Sequence, residues 1–508
     1  MATVRIERID NPPPPEELLK IFERYPYAFF LDSAMASERL GRFSFLGCDP
    51  FLVFKSKKDS VILDWQGGRT ESFRRDPFIA LEELLAKYKT EKTGSPIPLT
   101  SGAVGYFSYD LKGFVEDLPD TSRDDLGLAD CILGFYDCLV AYDNLTGHAY
   151  IASSGLPHSP GVKRERRRSD RMGEFKDIVK NGDRYPVFNG AAAENRVSVP
   201  NSNFSKSDYM ATITRAKEYI RKGDIYQVNL SQRFEASPGA EALAIYLKLR
   251  EVSPAPFASY LDFQDVKILS SSPERFLMKK SNYIETRPIK GTRPRGGDEK
   301  SDIFLERELK KSPKDNAEHI MIVDLERNDL GRICDYGSVR VTENAIVEKY
   351  ANVFHLVSTV SGRLKEGVGP VEVLRAAFPG GSITGAPKIR SMEIIEELEP
   401  VKRSVYTGAI GYISFDGDMD TSIVIRTLVI KGSKAYFSVG GGIVADSDPE
   451  LEYQETLDKA KGLMQALGLS NADNISRAHF PAICSARGGI PPRDISGRGS
   501  VPYCCGRG

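Results

Sequence analysis

Residues 226–231 read Tyr-Gln-Val-Asn-Leu-Ser, and their alternation sets Tyr226, Val228 and Leu230 on one side of an extended segment and Gln227, Asn229 and Ser231 on the other. One face of this strand is polar. Just upstream the period changes, because Tyr209, Ile213, Ala216 and Ile220 recur at helical spacing, with Ser207 as the expected cap and Gly223 as the stop. Helices and strands continue to alternate to about Leu467 without a solenoid period. Toward the N-terminus, short apolar runs at Ala28–Leu31, Phe51–Phe54 and Leu139–Tyr142 are broken by Gly, Asp and Pro, as in antiparallel sheets. Pro77–Lys89 is the helix expected among them.

The 508 residues contain 69 Lys+Arg and 70 Asp+Glu, a net charge of −1, so no global basic field exists to hold a nucleic acid. The run Lys163–Arg171 is the one local argument for such binding, and Glu165 and Asp170 interrupt it. No apolar run approaches the ~20 residues of a membrane helix, and Met1–Asp10 offers no apolar signal region, so no membrane partner and a cytoplasmic location are expected. Seven cysteines and five histidines, without a CxxC or HExxH pattern, make a soft-metal site improbable. A metal would be a hard ion on carboxylates. Composition divides the chain into an N-terminal region 1–160, a linker 161–204 with a basic segment and an embedded helix, a catalytic region 205–468, and a tail 469–508 expected to be disordered.

Several stretches carry candidate chemistry. Lys290 sits among Arg287, Arg293 and Arg295, whose charges would disfavour a protonated amine and leave a nucleophile; a solvated basic turn is the plain alternative. Glu274, in Ser272-Pro273-Glu274-Arg275-Phe276, closes an apolar strand as a possible acid or base. Asp315 with Glu318, and Glu452 with Glu455, each share a helix face; the second helix is capped by Asp448 and Pro449, and if the faces oppose, the oxygens suit Mg²⁺. Lys459 lies one turn beyond Glu455, so an ordinary surface pair competes with that reading. The loop Pro379–Lys388 would present amides to an anion at a helix N-terminus, and Gly440-Gly441-Gly442 is expected to form a second nest or a flexible turn. His355 by itself reads as a core histidine.

Taken together, Lys290 with its arginines, the SPERF segment, residues 316–331, GGSITGAPK and GGGIVADSDPELEYQET make the chain resemble the chorismate-utilising enzymes, and within them the aminodeoxychorismate synthase component I branch. The resemblance is strong over about 205–465 and weaker before it. It implies an α+β fold of two packed, largely antiparallel sheets flanked by helices, with chorismate and Mg²⁺ between them. By the same resemblance Glu318 and Glu455 would bind Mg²⁺ with Asp315 and Glu452 in support. Ser382, Arg426, Gly442 and Lys459 would hold substrate, and Lys290, Glu274 and His355 would be catalytic. Lys290 is the branch marker, since anthranilate synthases resemble one another in carrying a small residue there, and Gln227 replaces the lysine of the hydroxylating members. The implied activity is amination of chorismate at C4 toward 4-aminobenzoate and folate, with ammonia from a glutamine amidotransferase subunit. The alternative is anthranilate synthase component I, which would need tryptophan feedback through the N-terminal region.

Overall fold

The computed structural model describes residues 4–35, 40–92, 94–181, 198–350 and 353–469. Beyond Leu469, the expectation of a disordered tail falls outside the described residues. The strands form two twelve-stranded sheets whose neighbours pair antiparallel. In the first, Phe29–Asp32 from the N-terminal region pairs with Phe257–Asp262, in register Ala258 with Asp32. In the second, Gly102–Phe107 pairs with Ala409–Ser414, in register Ala409 with Phe107. Each sheet thus contains strands from both sides of the basic segment.

The alternation read in the sequence determines what fills the space between the sheets. Phe29, Phe45, Leu261 and Ile268 of one sheet meet Val104, Tyr106, Tyr136 and Tyr412 of the other, with Phe29 and Tyr136 4.6 Å apart edge to face. Each fully buried side chain of this size contributes about 1.5–3 kcal/mol. Helices cover the outer faces. Pro15–Phe22, Ala242–Val252 and Pro449–Ala466 pack on the first sheet, and Pro77–Lys87 and Pro313–Ile333 pack on the second.

Helix starts follow local chemistry. Asp76 accepts from the Phe78 and Ile79 amides, and Asp448 accepts from those of Glu450 and Leu451, each with proline next in the chain. The cap of Lys206–Lys222 is Ser205, which takes the Asp208 amide, and not Ser207; Gly223 ends the helix at φ 82°. The basic segment forms Val162–Asn181, in which Arg164, Arg168 and Arg171 are buried while Arg166 stays exposed. Arg164 donates to the Ser154 carbonyl, while Arg167 and Arg171 meet Asp137, which is fully buried. That run therefore holds the helix against the strands beneath it.

Candidate active site

Gln227–Ala236, with its polar face, pairs antiparallel with Lys434–Ile443, setting Asn229 beside Gly442 and Leu230 beside Gly441. Gly440, Gly441 and Gly442 therefore lie inside a strand and form no nest or turn. They are small because side chains cross over them. A Cβ on Gly442 would stand 2.5 Å from Nε2 of Gln227 and 3.7 Å from Nζ of Lys290, and one on Gly441 would stand 3.2 Å from Oε2 of Glu452. Among the described residues the buried Gln227 amide has no partner at either polar atom, an arrangement that favours a polar guest.

Lys290 enters from the strand Ile289–Pro294, where a bulge at Gly291, φ 77°, shifts the register before Thr292. Its ammonium donates to the Ser382 carbonyl at 2.8 Å. The amine is held below its usual range by burial, aided by the charge of Lys459 and opposed by Glu274, Glu318 and Glu455. The arginines expected to do this are occupied elsewhere: Arg287 with Glu343 and Glu348, Arg293 with Glu308 and Asp315, Arg295 with Asp302. Glu274 is buried and pushed up to about 6 by desolvation, against hydrogen bonds from Ser382 and the Ile289 amide. His355 lies across the bulge with Nδ1 3.0 Å from the Thr292 hydroxyl, and burial with nearby Arg426 and Lys459 pushes it down to about 3.

Three of the four helix carboxylates, Glu318, Glu452 and Glu455, act on one another electrostatically. Burial raises Glu318, with Asp315 and Glu452 adding to the shift and Lys290 and Lys314 opposing it. Burial also raises Glu452, opposed by a hydrogen bond from Ser447 and helped by Glu455. Glu455 is half exposed, and Lys459 at 2.6 Å outweighs its desolvation and holds it below the usual range. Asp315 is turned toward Arg293 at 2.8 Å. Among the described residues no preformed cluster of three metal-ligating side chains exists. The donor chemistry of Glu318, Glu452 and Glu455 nonetheless fits a hard divalent ion, which would relieve their mutual repulsion. At the other end Arg426, φ 53°, donates to the Lys459 carbonyl, Lys459 donates to the Gly440 carbonyl, and no carboxylate of the described residues pairs with Arg426. A free guanidinium beside a lysine suits an anion.

Two buried groups of Pro313–Ile333 escaped the sequence reading. His319, pushed down to about 4 by burial and Lys290, bonds the Ser358 hydroxyl at 2.5 Å. Glu326, pushed up to about 7 by burial and the neighbouring Asp329, accepts the Gly381 amide at 2.8 Å. Their signal was present: Asp315, His319, Glu326 and Asp329 share one helical face with a single apolar residue, Ile322, so that face is mostly polar.

The sequence profile of the chorismate binding enzymes matches residues 28–465. The chain belongs to that family. It is 39% identical to the anthranilate synthase component 1 of Acetivibrio thermocellus over 89% of this chain and 92% of that protein. It is equally similar to the Aquifex aeolicus protein of the same name, over 91% and 93%. The crystal structure of anthranilate synthase component I from Streptococcus pneumoniae TIGR4 superposes with a TM-score of 0.73 at 32% identity, covering 83% of this chain and 92% of that one. The two-sheet fold is the one this family shares. These relatives overturn the expectation of an aminodeoxychorismate synthase forming a C4-amino product. That reading rested mainly on Lys290, one residue, against likeness to anthranilate synthases along nine-tenths of both chains.

Proposed function

We propose that the protein is the chorismate-converting component of an anthranilate synthase. The reaction is chorismate plus ammonia to anthranilate, pyruvate and water. The observation that carries it is the extent of the likeness to proteins of that name, over nearly the whole of both chains. The cleft offers the groups this chemistry needs. Ammonia bonds to ring carbon C2, both ring double bonds shift, C1=C2 to C1=C6 and C5=C6 to C4=C5, and the C4 hydroxyl leaves as water after taking a proton from Glu274, which is poised near 6 to supply it. Burial holds the amine of Lys290 below its usual range, which favours its accepting the proton released by the new C2 nitrogen. Loss of the C2 hydrogen and of the enolpyruvyl group from C3 then yields the aromatic ring and pyruvate, with neutral His355 as the base at that end. Arg426, Lys459 and the Gly442 segment hold the carboxylates, and Ser382 closes the side nearest Lys290.

Glu318, Glu452 and Glu455 would hold Mg²⁺, with Asp315 behind them; when bound, it supplies charge to anchor a substrate carboxylate. Ammonia would come from a glutamine amidotransferase partner, as the component numbering of the relatives suggests. Cys48, Cys131, Cys138 and Cys334 are buried and stand in no nucleophile-elbow sequence. Tryptophan feedback would act at a cavity of ≈ 380 Å³ lined by Ser33, Phe43, Pro256, Met278 and Tyr412, which joins the N-terminal region to the later strands.

Incubation with chorismate, ammonium and Mg²⁺, with pyruvate measured through lactate dehydrogenase, tests the reading. One pyruvate per chorismate consumed is expected; turnover without pyruvate contradicts it.

A further inference from the structure

The loop carrying Ser382 is built from Gly380, Gly381, Ile383 and Thr384, and its hold on the cleft depends on groups outside it. One is Arg403, whose side chain is buried beneath the loop. Its Nη1 donates to the Ile383 carbonyl at 2.9 Å and to the Thr407 hydroxyl at 3.4 Å. Its Nη2 donates to the Asn229 carbonyl at 2.7 Å and to Oε1 of Glu399 at 2.7 Å, and Nε donates to Oε2 of Glu399 at 2.8 Å. All five N–H groups of the guanidinium are used. Glu399 also takes the amide and hydroxyl of Ser231, and the Asn229 amide donates to the Thr384 carbonyl at 2.7 Å. The guanidinium lies 4.8 Å over the Tyr109 ring, which fixes its plane.

We propose that Arg403 is a positioning residue: through the Ile383 and Asn229 carbonyls it clamps the loop to the strand Gln227–Ala236 and so sets Ser382 against Lys290 and Glu274. The proposal rests on reading this cleft as the chorismate site. Lysine cannot replace the clamp, because one ammonium has three donors and no planar fork to reach both carbonyls and Glu399 together. The clamp has a chemical readout. Ser382 hydrogen-bonds Glu274 and lowers its pKa against the effect of burial; the Ile289 amide and Lys290 also face that carboxyl, and Glu326 and Tyr350 are the other titratable groups near it. A slack loop withdraws Ser382, and Glu274 then titrates at higher pH. The alkaline limb of kcat/KM, where Glu274 loses its proton, moves upward with it.

The test compares the parent enzyme with Arg403→Lys and with the double variant Arg403→Met/Glu399→Gln, which leaves no unpaired buried charge. Chorismate consumption is followed across pH, and folding is checked by thermal unfolding. The expected result is a folded variant whose kcat/KM falls at least about tenfold with its alkaline limb displaced upward. Folded variants with kcat/KM within about twofold of the parent and an unmoved limb overturn the proposal, as does failure of both variants to fold, which makes the pair purely structural. Consumption does not depend on the product formed, so a parent enzyme that consumes chorismate without releasing pyruvate contradicts the functional reading and leaves the clamp standing.

Discussion

Glu274 ordinarily titrates at 4.5 and in the folded chain at about 6. Between those values the native state keeps a proton that the unfolded chain has lost, so stability falls as pH rises through the window and the loss is complete above it. The difference corresponds to about 2 kcal/mol. Glu274→Gln should therefore gain up to about 2 kcal/mol near neutral pH and nothing below about pH 4 in urea titrations, while kcat drops at least about 10²-fold. A variant that loses stability near neutral pH would show that burial does not raise Glu274 above its ordinary value. At this scale the sequence was partly legible. Glu274, Glu318 and Glu455 act electrostatically on Lys290 while Asp315 is taken by Arg293, and the amine of Lys290 is lowered by burial and not by its arginines, each of which has a carboxylate partner of its own. A residue's neighbours in sequence say little about which charges it meets in the fold.

The glycine run shows the same limit for elements. Three glycines read locally as a turn, and only the pairing with Gln227–Ala236 reveals a strand kept bare so that Gln227 and Lys290 can cross it. Gly442→Ala should raise KM for chorismate about tenfold or more, because its methyl would displace the Gln227 amide. Steady-state kinetics together with an unchanged unfolding temperature check this. On the helix Pro449–Ala466, Glu455→Gln should raise the Mg²⁺ concentration giving half-maximal activity at least about tenfold, with the circular dichroism spectrum unchanged. The helix Val162–Asn181 gives a third case. Its basic run looked like surface because its partner, Asp137, lies on the sheet beneath it. Arg171→Ala leaves that carboxylate one cation short and should cost about 3 kcal/mol in denaturant unfolding, with no change in activity per folded molecule.

Across the whole molecule, the two-sheet architecture was expected from the order of motifs, and the shared sheets explain why a break in composition near the basic segment does not separate strand sets: Phe29–Asp32 and Gly102–Phe107 each need a later strand as neighbour. The product was not legible, because Lys290 and the short segment Ser253–Ala258 were given more weight than likeness spread along the entire chain. The fate of nitrogen tests the central claim most directly. Turnover of chorismate with nitrogen-15 ammonium, followed by mass and NMR analysis, should give 2-aminobenzoate with the label on the carbon next to the carboxyl-bearing one, together with an equal amount of pyruvate. Label at C4 of a product that keeps its enolpyruvyl group, without pyruvate, would contradict the account.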